Sequence, residues 1–198
     1  MGEGLIFIAK IILAVVISPV VYSCALNFYD HLDVYPTSLI EFFRWGVFGF
    51  VLVFLFVYPF RYLYQFGQNV MTGIFKFLTP LDRAVARVVP FFTVVILASF
   101  YIAGKFFDIT AYVHYFMFFA GFSMAMHILL LAQELQGEEA SFIKSSYFLR
   151  MSVYFVLSVC MTVLLLDLAV WKWTFLKFFS AMFEDARDIY MLMVRRIL

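Results

Sequence analysis

Few side chains in this sequence are equipped for chemistry, and those that are sit in apolar surroundings. His127 lies inside an apolar run at 111–131, with His114 near its start, and Asp167 lies near the end of another at 149–170. Lys76 falls in a shorter, mixed segment. Ionisable groups in such runs are costly unless used or paired, which makes His127 and Asp167 the first candidates for a buried polar site. An imidazole there can relay a proton, hold an ion or hydrogen-bond a neighbouring helix. The carboxylate can do the same, or sit near Lys172 at the edge of its run. A transport path calls for more buried charges, or for Gly/Pro breaks at mid-depth, so the helix-to-helix hydrogen bond is the plainer use. Cys24 and Cys160 stand singly in apolar runs, with no Cys/His spacing that would hold a metal. Phosphate-loop, dinucleotide and nucleophile-elbow motifs are missing.

The elements that must position these residues follow from composition. Apolar residues make up 66% of the 198, and charged residues 14%. A soluble domain of this size has too little interior to hide so much apolar surface. This excludes a soluble enzyme, a disordered chain and a disulfide scaffold, and leaves an all-α, polytopic helical membrane protein. The net charge of +1 gives no field that would select nucleic acid. A span needs about 20 mostly apolar residues. Runs at 5–28, 45–60, 88–104, 111–131 and 149–170 fit, and the first is too long for a cleaved signal peptide. The strand alternation of a membrane barrel is absent. Gly121 and Ala125 allow a close helix contact.

The segment 65–79 is shorter. Phe66, Val70, Met71, Ile74, Phe75 and Leu78 recur at helical spacing and leave Gln68, Asn69, Thr72 and Lys76 on other faces. It is expected either to cross as a short sixth helix or to lie in the interface. A domain of six membrane helices over 1–170 is then followed by a tail, 171–198. The tail opens on the anchor Trp171-Lys172-Trp173. Its seam of Leu176, Phe179, Phe183, Ala186, Tyr190, Met193 and Ile197 steps by three and four, which predicts an amphipathic helix lying on lipid or on a partner.

The stretch Tyr64-Gln65-Phe66-Gly67-Gln68-Asn69-Val70-Met71-Thr72 resembles the short HExxH helix of site-2-protease-like membrane metallopeptidases. Gln68 and Thr72 stand for the two metal-binding histidines and Asn69 for the general-base glutamate. The span before it, Val89-Pro90-Phe91-Phe92 after it, and His127-Ile128-Leu129 with Gln133-Glu134-Leu135 resemble the family's flanking elements, so the likeness covers roughly residues 42–168. Zinc hydrolysis needs two imidazoles one turn apart and a carboxylate, and Gln, Thr and Asn supply neither. The resemblance therefore implies an inactive relative, a pseudoprotease that is not an enzyme and holds no metal or other cofactor.

Six spans with both termini cytoplasmic put Lys10, Arg61, Lys105 and the basic tail inside, and Arg44, Arg83, Arg87, Lys144 and Arg150 outside. The expectation is a multi-pass protein of a bacterial cytoplasmic (inner) membrane. Its partners are membrane lipids and other membrane-protein subunits, with no nucleic acid. It would serve as a non-catalytic subunit or scaffold of a larger complex, with Gln68, Asn69 and Thr72 holding a partner segment. The alternative is a transport or lipid-handling component with a polar path near 65–79.

Overall fold

The computed structural model describes residues 2–56, 60–137, 145–170 and 172–197. Within them all regular structure is helical, as apolar runs in lipid require, because a helix satisfies its own backbone. Eight α-helices are described: α1 (Gly2–Leu32), α2 (Thr37–Phe56), α3 (Phe60–Ile74), α4 (Asp82–Val88), α5 (Phe91–Phe106), α6 (Val113–Gly137), α7 (Ser145–Val170) and α8 (Phe175–Ile197). Short 3-10 turns at Phe75–Leu78 and Thr110–Tyr112 lead into α4 and α6. Four stretches, Ile6–Leu32, Thr37–Phe56, Thr110–Gly137 and Ser146–Val170, are long and apolar enough to cross a membrane. The pair α4 and α5, bent by 62°, makes a fifth if taken as one broken span. The protein is thus a polytopic helical membrane protein.

Contacts fix the direction of each helix. Lys10 Nζ donates to Ser146 Oγ at 2.7 Å near the starts of α1 and α7, while His31 and Tyr35 meet Asp167 at the other end, so these helices run parallel. The pairs Phe42 with His114 and Phe50 with Phe122 make α2 parallel to α6. Thr93 with Ser123 and Phe100 with Phe116 make α5 antiparallel to α6. One end of the bundle therefore carries Lys10 and Ser146, and the other His31, Asp167 and Lys172.

The tightest crossing is between α2 and α6, and glycine permits it. A Cβ on Gly46 would lie 1.9 Å from the Phe118 carbonyl oxygen, and one on Gly121 would lie 2.1 Å from that of Phe43. Each backbone thus rests on the other, the small-residue contact foreseen at Gly121. Ala125 lies on the same helix, in the cluster around Phe50, Leu131 and Leu135.

Two expectations are corrected here. The helix expected over 65–79 runs instead from Phe60 to Ile74 and is not among the helices long and apolar enough to cross, which leaves the interfacial one of its two expected placements. Fifteen residues rise only about 22 Å, and a polar stripe runs its whole length. The helix directions set above decide which end of the bundle each basic residue shares with Lys10. Arg61 shares the Lys10 end as in the six-span scheme, but Arg83, Arg87 and Arg150 share it too, and Lys105 lies at the opposite one. Lys76 is exposed on the 3-10 turn after α3 rather than held among spans.

The tail is the second correction. It does form a helix, but α8 does not leave the bundle. It folds back antiparallel along α1: Phe178 packs on the His31 ring, Ser23 Oγ donates to the Met182 carbonyl at 2.6 Å, and Tyr190 donates to the Val16 carbonyl. The docked face is Phe178, Met182, Ala186 and Tyr190: the expected seam docks at Ala186 and Tyr190, but Phe178 and Met182 take the places expected of Phe179 and Phe183. Leu176, Phe179, Phe183 and Met193 remain 75%, 40%, 50% and 42% exposed. Ile197 at the end of that seam lies outside the described side chains.

Candidate functional site

Three polar clusters carry the candidate chemistry. The first lies at the α4–α5 break. Pro90 has no N–H, and α4 ends at Val88, so its last carbonyls lose their helical donors. Side chains from two other helices replace them. His127 Nε2 donates to the Arg87 carbonyl at 3.0 Å, and Ser158 Oγ donates to the Val88 carbonyl at 3.1 Å. Because a carbonyl only accepts, the Nε2 position carries the proton. His127 is buried and fully used in holding a broken backbone. Thr93 and Ser123, hydrogen-bonded at 2.9 Å, join α5 to α6 just past the break.

The second cluster surrounds Asp167, also buried. Its carboxylate accepts the backbone N–H groups of Thr174 and Phe175 at 2.6 Å each, the Thr174 hydroxyl at 2.9 Å and the Tyr35 hydroxyl at 3.0 Å. It therefore caps the first turn of α8, where free N–H groups and the helix dipole favour an anion. His31 Nε2 stands 3.5 Å away. Burial, with the Asp167 charge adding to it, pushes the Tyr35 phenol well above its ordinary value, so it stays a donor. The expected partner Lys172 turns elsewhere, donating to the Val34 carbonyl at 2.7 Å and lying over the Tyr35 ring. His114 packs at a tilt against Phe42 at the same end. Cys24 and Cys160 are free thiols that meet between α1 and α7.

The third cluster is a cleft between α3 and α6. α3 has three faces. Tyr64, Gly67 and Met71 point inward, and Gly67 lets Phe91 and Phe92 approach so closely that an added Cβ would lie 2.9 Å from the Phe91 ring. Leu63, Phe66 and Ile74 point outward and are exposed. Arg61, Gln65, Gln68, Asn69 and Thr72 form the polar stripe between these faces. Arg61, Tyr64, Gln65, Gln68 and Asn69 line a cavity of about 180 Å³ with Leu130, Gln133 and Glu134 of α6. Glu134 pairs with Arg87 at 2.7 Å. Tyr64 is only 4% exposed, and its hydroxyl has no hydrogen-bond partner among the described residues. Burial, with the Glu134 carboxylate adding to it, pushes its phenol well above the usual value, so it presents a proton to the cleft.

Of the residues singled out in the sequence, Gln68 and Asn69 therefore share one cleft, and Thr72 lies one turn beyond it on the same stripe. His127 and Asp167 are far apart and belong to separate clusters. No three His, Cys, Asp or Glu side chains converge as a metal site would need among the described residues. The sequence reasoning missed Arg61, Tyr64, Ser158, Tyr35 and Thr174. Arg61 and Tyr64 were within reach, since they sit four residues before Gln65 and Gln68 on the helix that carries the motif. The other three become visible only when helices distant in sequence are brought together. Compared with family models, curated proteins and solved structures, the chain matches none.

Proposed function

We propose that this protein is a non-catalytic, multi-pass membrane subunit that holds other membrane proteins through α8. One observation carries this reading. α8 lies along α1 between Val16 and His31, inside the stretch of α1 that is apolar enough to span. Yet Glu184, Asp185, Arg187 and Asp188 all lie on its exposed side. Asp185 is met by Asn27 at 2.7 Å, and among the described residues Arg187 reaches only Asp188, at 3.5 Å. A charge facing hydrocarbon near mid-depth costs about 2.5–3.5 kcal/mol. A protein neighbour that covers this face with polar groups removes that cost, and Phe179 and Phe183 beside it supply apolar contact.

The buried polar groups support a scaffold more than a transport path, because His127, Ser158 and Asp167 are spent on the bundle's own backbone. The cleft on α3 fits the pseudoprotease resemblance. Gln68, Asn69 and Thr72 replace two imidazoles and a carboxylate, and none of them makes a zinc site or a general base. The positive-inside rule supports reading the end that gathers Lys10, Arg61, Arg83, Arg87, Arg150, Arg195 and Arg196 as the cytoplasmic one, with both termini on that side of a membrane taken to be a bacterial inner membrane.

The test is copurification in mild detergent with Phe183→Asp and Leu176→Asp. Both residues are exposed and contribute nothing to the docked face, so the bundle should stay folded. A stoichiometric partner should be lost with either change. Partners retained at wild-type stoichiometry in both variants would defeat the subunit reading.

A further inference from the structure

The cleft between α3 and α6 offers more hydrogen-bond donors than the protein uses. Its charges do not cancel. Glu134 is neutralised by Arg87 at 2.7 Å, whereas Arg61 makes no ion pair among the described residues. The Tyr64 hydroxyl is buried and faces the same cavity beside the Glu134 carboxylate, yet no acceptor among the described residues lies at hydrogen-bond geometry. The amides of Gln65, Gln68, Asn69 and Gln133 add neutral donors on both walls. One net positive charge, a buried hydroxyl and several amide N–H groups around about 180 Å³ describe an anion site rather than a cation site.

We infer that this cleft binds a phosphate group, with Arg61 as its cation and the Tyr64 hydroxyl as its innermost donor. Position favours a phospholipid headgroup as the source. The cleft lies at the end of the bundle where basic residues gather, and the adjacent face of α3 turns Leu63, Phe66 and Ile74 outward, where acyl chains would run. Free phosphate shares the chemistry but would not use that face. The site does not depend on α8 having a protein partner, so it stands or falls separately from the proposed function.

The test is native mass spectrometry of the full chain in mild detergent, titrated with phosphatidylglycerol, with diacylglycerol of the same acyl chains, and with inorganic phosphate. Phosphatidylglycerol should be retained and diacylglycerol should not. Arg61→Gln should weaken retention by about tenfold or more, as loss of a charged hydrogen bond does. Tyr64→Phe, which keeps the buried ring, should weaken it by about fivefold. Lys105→Gln, at the opposite end, should change nothing. Inorganic phosphate that binds alone with the same dependence on Arg61 and Tyr64, while phosphatidylglycerol is not retained, would uphold the site and make free phosphate its source. Equal retention of diacylglycerol, or wild-type binding of both phosphate probes by Arg61→Gln and Tyr64→Phe variants that elute as the folded protein, would overturn the inference.

Discussion

Replacing Asp167 should release α8 while leaving the rest of the bundle assembled. The carboxylate accepts four hydrogen bonds, two of them from the backbone N–H groups that open α8. Asp167→Ala leaves those two part-buried N–H groups and the buried Tyr35 hydroxyl without their acceptor. At about 1–3 kcal/mol for each of the two orphaned backbone donors, the loss is about 2–6 kcal/mol. Asp167→Asn keeps the shape and one acceptor oxygen but loses the charge that both N–H groups and the helix dipole favour, so it should cost less than the alanine change. Hydrogen–deuterium exchange of the detergent-solubilised protein reads this directly. Amides of 174–190 should exchange faster by about one order of magnitude or more in the alanine variant, while those of α6 stay protected. Exchange in 174–190 that matches the wild type in both variants would refute the role given to Asp167.

Three further outcomes follow from the geometry. Gly121→Leu or Gly46→Leu should separate α2 from α6 and lower the detergent melting temperature sharply, because even a Cβ would meet a carbonyl oxygen at about 2 Å; the cost is at least about 1–3 kcal/mol. His127→Phe should destabilise by about 1–3 kcal/mol, by orphaning the Arg87 carbonyl, whereas a proton-relay role would instead alter a transport or pH readout without loss of stability. Cysteines placed at Arg61 and Arg150 should be labelled from the same side of the membrane, and one at Asp33 from the other. Labelling of positions 61 and 150 from opposite sides would restore the six-span scheme.

Much of this fold was legible because apolar runs of sufficient length leave helices as the only choice. The contact at Gly121 followed from residue size alone. The errors have two physical sources. At 65–79 the apolar residues were assigned to one face, but Phe66 and Ile74 point out while Met71 points in, and the helix carries a third, polar face. Whether that helix crosses decides which side every later segment takes. In the tail, the periodicity of Phe179 and Phe183 marked a real apolar face, but Phe178 and Met182 form another, and only contact with Ser23 and His31 on α1 decides which one docks. The candidate site was half visible. Gln68, Asn69, Gln133 and Glu134 all stood out by resemblance, whereas their meeting across one cleft is set by how α6 packs, and the pairing of Glu134 is fixed by Arg87, 47 residues away.

The central claim, that another membrane protein covers the outer face of α8, is tested most directly by a photo-crosslinking amino acid at Phe183 in intact membranes. Phe183 is half exposed, lies beside the charged row Glu184–Asp188 and is off the docked face of Phe178, Met182 and Ala186. The account predicts a single protein adduct of defined mass at position 183, with none from the same probe at Ile8 on the exposed start of α1. Adducts with lipid alone at position 183 would contradict it.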